Sequence, residues 1–174
     1  MEQMRAFDWE RLGNLTVGRG KIGQEMPVSV YRLMQYTLMD ELCDSYGTEQ
    51  AHEIFRRAGL RAGRAFTEKL LDNSLPFSAF IAELQKTLRE LKIGILRMEK
   101  TDTESLEFVL TVEEDLDCSG LPVSGQTVCW YDEGFIAGVF GTYTKRDFVA
   151  VEVDCWATGG TVCRFNAYPE QPAV

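Results

Sequence analysis

The hydrophobic residues change their spacing near Gly94, and this change most constrains the fold. Before Gly94 they follow helical spacing in three stretches, 27–47, 48–70 and 76–92. After Gly94 they mostly alternate with polar residues, as in strands with one buried face, at 95–100, 105–114, 147–155 and 162–168. A glycine-rich stretch at 127–144 predicts one further helix. This order predicts an α+β fold, with N-terminal helices packed on an antiparallel sheet that ends in a C-terminal hairpin.

The length and charge of the chain limit its organisation and its partners. A chain of 174 residues fits one domain. We expect an N-terminal segment (1–24), a helical part (25–93) and a part with the sheet, the last helix and a metal site (94–168). The net charge of -9 disfavours nucleic acid and anionic lipid. We expect a cytoplasmic location without a membrane span, because no apolar run nears 18 residues and no signal peptide is visible.

Two of the five cysteines, Cys155 and Cys163, flank a Gly-Gly pair, with Glu152 three residues before the first of them. A tight turn at 158–160 would place the two thiols opposite each other on paired strands, close enough to bind one metal ion. Because strand side chains alternate, a bulge or the end of the strand must bring Glu152 to the same side. Cys129, at the start of the glycine-rich helix, is the candidate for the remaining ligand of a tetrahedral zinc.

Spacing alone leaves two other interpretations open: buried thiols without metal, or a disulfide between Cys155 and Cys163. The segments VCWYDEGFIAGVFG and VEVDCWATGGTVCRF resemble the C-terminal signature of the 4-vinyl reductase domain family. The shared features are a cysteine, a Gly-aromatic pair five residues on, Glu-x-x-Cys, and a glycine before Cys-x-Phe. This resemblance implies that a structural zinc staples the hairpin and is bound by the ligand set Cys129, Glu152, Cys155 and Cys163. It assigns no role to Cys43 or Cys118.

The same resemblance implies a ligand-binding domain of the fold shared with heme-NO-binding and trafficking proteins. A metal with four protein ligands has no open position for substrate, so the zinc would stabilise the fold. The sequence shows no nucleophile elbow, phosphate loop or dinucleotide fingerprint, so an enzymatic role stays open but is not expected. We expect binding or sensing of a hydrophobic or aromatic small molecule, with the signal passed to a partner regulator or enzyme. Two alternatives remain, an accessory or carrier protein in tetrapyrrole (bacteriochlorophyll) synthesis and a ligand-free dimeric scaffold.

The function then depends on a pocket, which we expect between the sheet, the third helix and the glycine-rich helix. Apolar residues on the inward faces of these elements are the candidates for its wall, although each could equally be ordinary core. The predicted pocket residues are Phe80, Leu106, Phe108, Phe135, Val139 and Ala150.

The first long helix predicts a homodimer, because its apolar residues surround the whole helix and exceed what one core can cover. Small residues of the second helix, including Gly59 and Gly63, would allow close contact at such an interface. Alternatively, the N-terminal segment with Phe7 and Trp9 folds back over the first helix within one chain.

Overall fold

The computed structural model describes residues 7–170, which form an α+β fold as the sequence predicts. A short 3-10 helix at Trp9–Leu12 precedes five α-helices and four strands. In chain order these are α1 (Leu15–Gly18), α2 (Val28–Tyr46), α3 (Thr48–Leu70), α4 (Phe77–Glu90), β1 (Ile95–Asp102), β2 (Glu107–Glu113), α5 (Trp130–Thr144), β3 (Phe148–Asp154) and β4 (Cys163–Pro169).

The four strands form one antiparallel sheet with the order β1-β2-β4-β3. The last strand of the chain therefore lies between β2 and β3, and Cys163 at its start pairs with Val112 of β2. Helices α4 and α5 cover the sheet and bury their apolar faces with its inward residues in one core. This arrangement places the start of α5 next to the strand ends that carry the cysteines.

Helices α3 and α5 pack closely because glycines face each other across their contact. A Cβ atom built on Gly138 would lie 2.5 Å from the carbonyl oxygen of Leu60, and one on Gly134 would overlap the carbonyl oxygen of Arg56. Likewise, a Cβ on Gly59 or Gly63 would overlap backbone atoms of α5. The prediction that these two glycines serve a dimer interface is therefore wrong, because α5 of the same chain already occupies them.

Helix α2 buries one side and exposes an apolar stripe on the other. The side chains of Val30, Leu33, Met34 and Leu38 are 51%, 67%, 61% and 49% exposed, and their spacing puts them on one face. The 3-10 helix with Trp9 does not lie on this face but contributes to a cavity beside α3. Within residues 7–170 no helix has the length and apolar character needed to span a bilayer.

Candidate metal centre and ligand cavity

Four cysteines from separate parts of the chain meet in the core. Cys118 lies in the loop after β2, Cys129 directly precedes α5, Cys155 follows β3, and Cys163 begins β4. All four are buried, and their Sγ atoms lie within 4.8 Å of one another. The five cysteines of the chain are free thiols, so the predicted alternative of a disulfide between Cys155 and Cys163 is not formed.

The distances between the sulfur atoms are close to those of a tetrahedral zinc site. With Zn–S bonds of about 2.3 Å, tetrahedral geometry places neighbouring sulfurs about 3.8 Å apart. The Sγ of Cys129 lies 3.9 Å from that of Cys155 and 3.8 Å from that of Cys163, and Cys155 lies 3.9 Å from Cys118. The Sγ atoms of Cys118 and Cys163 are closer, at 3.0 Å. The four thiols could therefore hold a metal ion after a small outward shift of that pair.

The backbone around the cysteines differs from the tight turn that the sequence predicts. The segment 155–162 joins β3 to β4 through a 3-10 helix at Trp156–Thr158, followed by Gly159 at φ 95°. Thr158 closes this turn, because its hydroxyl accepts a hydrogen bond from the Cys155 N–H (3.0 Å) and donates one to the Cys155 carbonyl (2.8 Å). The turn that the sequence predicts at 158–160 is thus the end of this 3-10 helix, and Cys155 and Cys163 lie directly beyond the last β3–β4 pair, Asp154 with Arg164.

Glu152 lies beside the four cysteines and not among them. Its Oε2 accepts hydrogen bonds from the N–H groups of Val128 (3.2 Å) and Cys129 (3.0 Å), just before α5. Its Oε1 is buried and has no hydrogen-bond partner among residues 7–170. The register of β3 shifts between Glu152 and Asp154, as the sequence requires if Glu152 is to lie near Cys155. Burial raises the pKa of the Glu152 carboxyl to about 8.

Cys118 is the member of the cluster that sequence reasoning missed. The signal available was Asp115 three residues before it, since an aspartate often caps the backbone of its own turn. In the structure the Asp115 Oδ1 accepts hydrogen bonds from the N–H groups of Asp117 (2.8 Å) and Cys118 (3.0 Å). This turn directs the chain after β2 back into the core, where the thiol of Cys118 meets the other three.

A cavity of about 530 Å³ opens along α3. Its wall is mostly apolar and includes Ala58, Ala62 and Ala65 of α3, together with Phe66 and Phe135. Further walls come from the N-terminal 3-10 helix, α2, the loop after β2 and the first turn of α5. The volume is within the usual range for sites that bind small molecules.

The inner end of this cavity carries two carboxyl groups. Asp117 is 4% exposed, and its Oδ1 accepts a hydrogen bond from the Tyr31 hydroxyl (2.8 Å). Across the part of the chain that the structure describes, the Oδ2 atoms of Asp117 and Asp132 are buried without a hydrogen-bond partner. Asp115 lies behind them, with a carboxyl oxygen within 4.8 Å of one of Asp132. Burial raises the pKa of all three carboxyls, that of Asp115 to about 7.

Most of the predicted pocket residues lie in packed core and not on this cavity. The ring of Phe108 stacks against those of Phe77 and Phe140, with centroids 5.0 and 4.7 Å away, and Phe80 is fully buried. These aromatic rings fill the space between sheet and helices in which the sequence predicts a pocket. Of the six predicted residues, Phe135 lines the large cavity. Phe135 and Val139 also line a separate small void of about 40 Å³. Leu106 packs on the core, and Ala150 is buried in it.

Comparison with known proteins agrees with this fold. Residues 108–169, from β2 to the end of β4, match the sequence model of the 4-vinyl reductase domain. A protein of Methanocaldococcus jannaschii without an assigned function is 28% identical over 144 residues, which cover 83% of this chain and 76% of that one.

Two solved structures share the fold at low sequence identity. The phenol-responsive sensory domain of the transcription activator PoxR, solved with phenol, has a TM-score of 0.66 at 18% identity, covering 84% of this chain and 78% of that one. A vinyl-4-reductase family protein of Methanocaldococcus jannaschii has a TM-score of 0.62 at 16% identity, covering 98% and 99% of the two chains.

Proposed function

We propose that the chain is a small-molecule-binding or sensing domain whose fold is held by a structural zinc. The match of residues 108–169 to the sequence model of the 4-vinyl reductase domain supports this proposal. The cavity along α3 is the observation that carries this proposal. It combines a mostly apolar wall with a few polar groups at one end, the composition typical of ligand sites. The similarity in fold to a phenol-responsive sensory domain supports the same function.

The donor chemistry of the cysteine cluster supports zinc. Thiolates are soft ligands that favour zinc in a closed tetrahedral site, and such a site stabilises structure without catalysing a reaction. The four thiolates with a divalent ion carry a formal charge of -2. The metal would join the loop after β2, the start of α5 and the β3–β4 connection, which come from separate parts of the chain.

We assign the four ligand positions to Cys118, Cys129, Cys155 and Cys163, with Glu152 outside them. The support is geometric, because the four sulfurs form a mutually close set while Glu152 is engaged with the backbone N–H groups of Val128 and Cys129. In this arrangement the carboxylate holds the start of α5 against β3 and orients Cys129 for the metal. Such groups around a metal site affect its affinity although they do not bind the ion.

Native mass spectrometry of the purified full chain tests both parts of the proposal. We expect a mass above that of the polypeptide by one zinc ion and one small organic molecule, the latter lost on denaturation. The absorption spectrum of the same sample identifies the class of molecule, since a Soret band would favour the tetrapyrrole alternative. A protein with neither metal nor ligand, which also fails to bind added apolar probes, would contradict the proposal and favour a ligand-free scaffold.

A further inference from the structure

The two unpartnered carboxyl oxygens at the inner end of the cavity indicate which ligand it accepts. Burying a carboxyl group without a hydrogen-bond partner costs free energy, so buried carboxyl groups are normally hydrogen-bonded. The buried Oδ2 of Asp117 and that of Asp132 lack a partner in the described part of the chain, 7–170, and both residues line the cavity. Two residues of one cavity wall therefore each have an acceptor oxygen without a donor.

The groups around these oxygens are acidic. Asp115 adds a third carboxyl within 4.8 Å of Asp132, and the thiol of Cys129 lies within the same distance of both. The guanidinium of Arg32 donates instead to the backbone carbonyls of Leu116 (2.7 Å) and Asp115 (3.2 Å). It can offset one of the three carboxyl groups at most, so ionisation of all three together needs a further positive charge.

The outer part of the cavity has the opposite character. The three alanines of α3 and the rings of Phe66 and Phe135 provide an apolar surface between the carboxyl groups and the opening. Arg61 also lines the cavity, but it is exposed and forms no ion pair with these carboxyl groups among residues 7–170. A molecule that fills the cavity must therefore have an apolar body and place its polar group at the carboxyl end.

We propose that the cavity binds an apolar amine, with its protonated nitrogen donating hydrogen bonds to Asp117 and Asp132. This inference rests on the proposed ligand-binding function and specifies its ligand class. An ammonium group can donate hydrogen bonds to both free acceptors, and its positive charge offsets that of an ionised carboxylate. A neutral hydroxyl can donate only one hydrogen bond and carries no charge. A carboxylate or phosphate ligand would add to the negative charge and is disfavoured.

Three probes with the same apolar body test the proposal: 4-butylbenzylamine, 4-butylbenzyl alcohol and 4-butylbenzoate. Titration of the full chain by calorimetry should give an affinity for the amine at least about tenfold above that for the alcohol, because charge-assisted hydrogen bonds are stronger. No binding of the benzoate is expected. Asp132→Asn, which keeps the shape but removes the charge, should lower the affinity for the amine about tenfold and leave that for the alcohol unchanged.

Asp147→Asn is the matched control, since this carboxylate is exposed and pairs with Arg64 away from the cavity. It should leave all three affinities unchanged. If the alcohol binds as tightly as the amine, or Asp132→Asn lowers both alike in a folded protein, the amine proposal is overturned while ligand binding stands. If none of the three probes binds, the amine proposal and the proposed function both fail.

Discussion

The predicted set of metal ligands contains Glu152, whereas the structure brings Cys118 to the other three cysteines. The difference comes from the local geometry of these two residues. The resemblance to the 4-vinyl reductase family includes Glu152 among the ligands, although the alternation of strand side chains requires a bulge to bring it to the side of Cys155. The structure brings Cys118 to the other thiols from the preceding loop, through a turn capped by Asp115. A loop conformation of this kind leaves no periodic pattern in the sequence, which is why sequence reasoning misses the residue.

Cobalt substitution distinguishes the two candidates for the fourth ligand. Glu152→Gln should keep one metal per chain and the absorption spectrum of four-thiolate cobalt, because Gln still offers an oxygen to the N–H groups before α5. Cys118→Ser should change that spectrum and lower the free energy of unfolding by about 3 kcal/mol or more, since metal binding contributes to folding.

The control for these variants is Cys43→Ser, which removes a half-buried thiol of α2 outside the cluster and should leave the metal site unchanged. A cobalt spectrum altered by Glu152→Gln and not by Cys118→Ser would show that the sequence-based ligand set is correct.

At the scale of elements, the contact between α3 and α5 fixes both candidate sites. It sets the position of Cys129 at one site and of Asp132 at the other, because both residues lie at the start of α5. The sequence indicates helix packing through the glycines of α3, and the structure confirms it. The sequence predicts this contact with a second chain, whereas the structure shows α5 of the same chain. A pattern of glycines indicates that another helix packs closely, but it does not identify that helix.

Gly138→Ala tests how tightly this contact is packed. Its methyl group would lie 2.5 Å from the Leu60 carbonyl oxygen and 3.0 Å from the Gly63 Cα, so the helices must move apart. We expect a loss of about 2–3 kcal/mol in the free energy of unfolding, measured by denaturant titration. Gly18→Ala in α1, where the added carbon meets no atom within 4 Å among residues 7–170, should change stability by less than about 1 kcal/mol. Equal stability of the two variants would contradict this packing.

At the scale of the whole molecule, the exposed stripe of α2 predicts association of two chains. Its four residues, Val30, Leu33, Met34 and Leu38, form a continuous apolar face that a two-fold axis would bury against itself. Light scattering at micromolar concentration should give twice the chain mass of 19.7 kDa for the natural protein and a single chain mass for Leu33→Glu.

Val123→Glu introduces the same charge at an exposed position on a loop, so it should leave the dimer intact. If the natural protein stays monomeric when it is concentrated, the dimer prediction is wrong and the apolar stripe of α2 is exposed in solution.

The sequence predicts the whole-molecule architecture better than the place of the cavity. The change of hydrophobic period at Gly94 suffices for the α+β class, because packing faces follow directly from spacing. The cavity cannot be found in this way, since a residue such as Phe108 has the same apolar character in a filled core as on a pocket wall. The filling depends on how Phe77 and Phe140 meet Phe108 in three dimensions.

The most direct test of the central claim, that the cavity along α3 binds a small molecule, is to fill it. Ala62→Trp places a large side chain on the cavity wall and leaves the carboxyl groups and the cysteines in the sequence unchanged. The measurement is the dissociation constant for 4-butylbenzylamine by calorimetry, on natural and variant proteins with matched thermal unfolding midpoints. We expect the variant to bind at least about tenfold more weakly, because the apolar body of the ligand loses its space. The same dissociation constant for both proteins would contradict it.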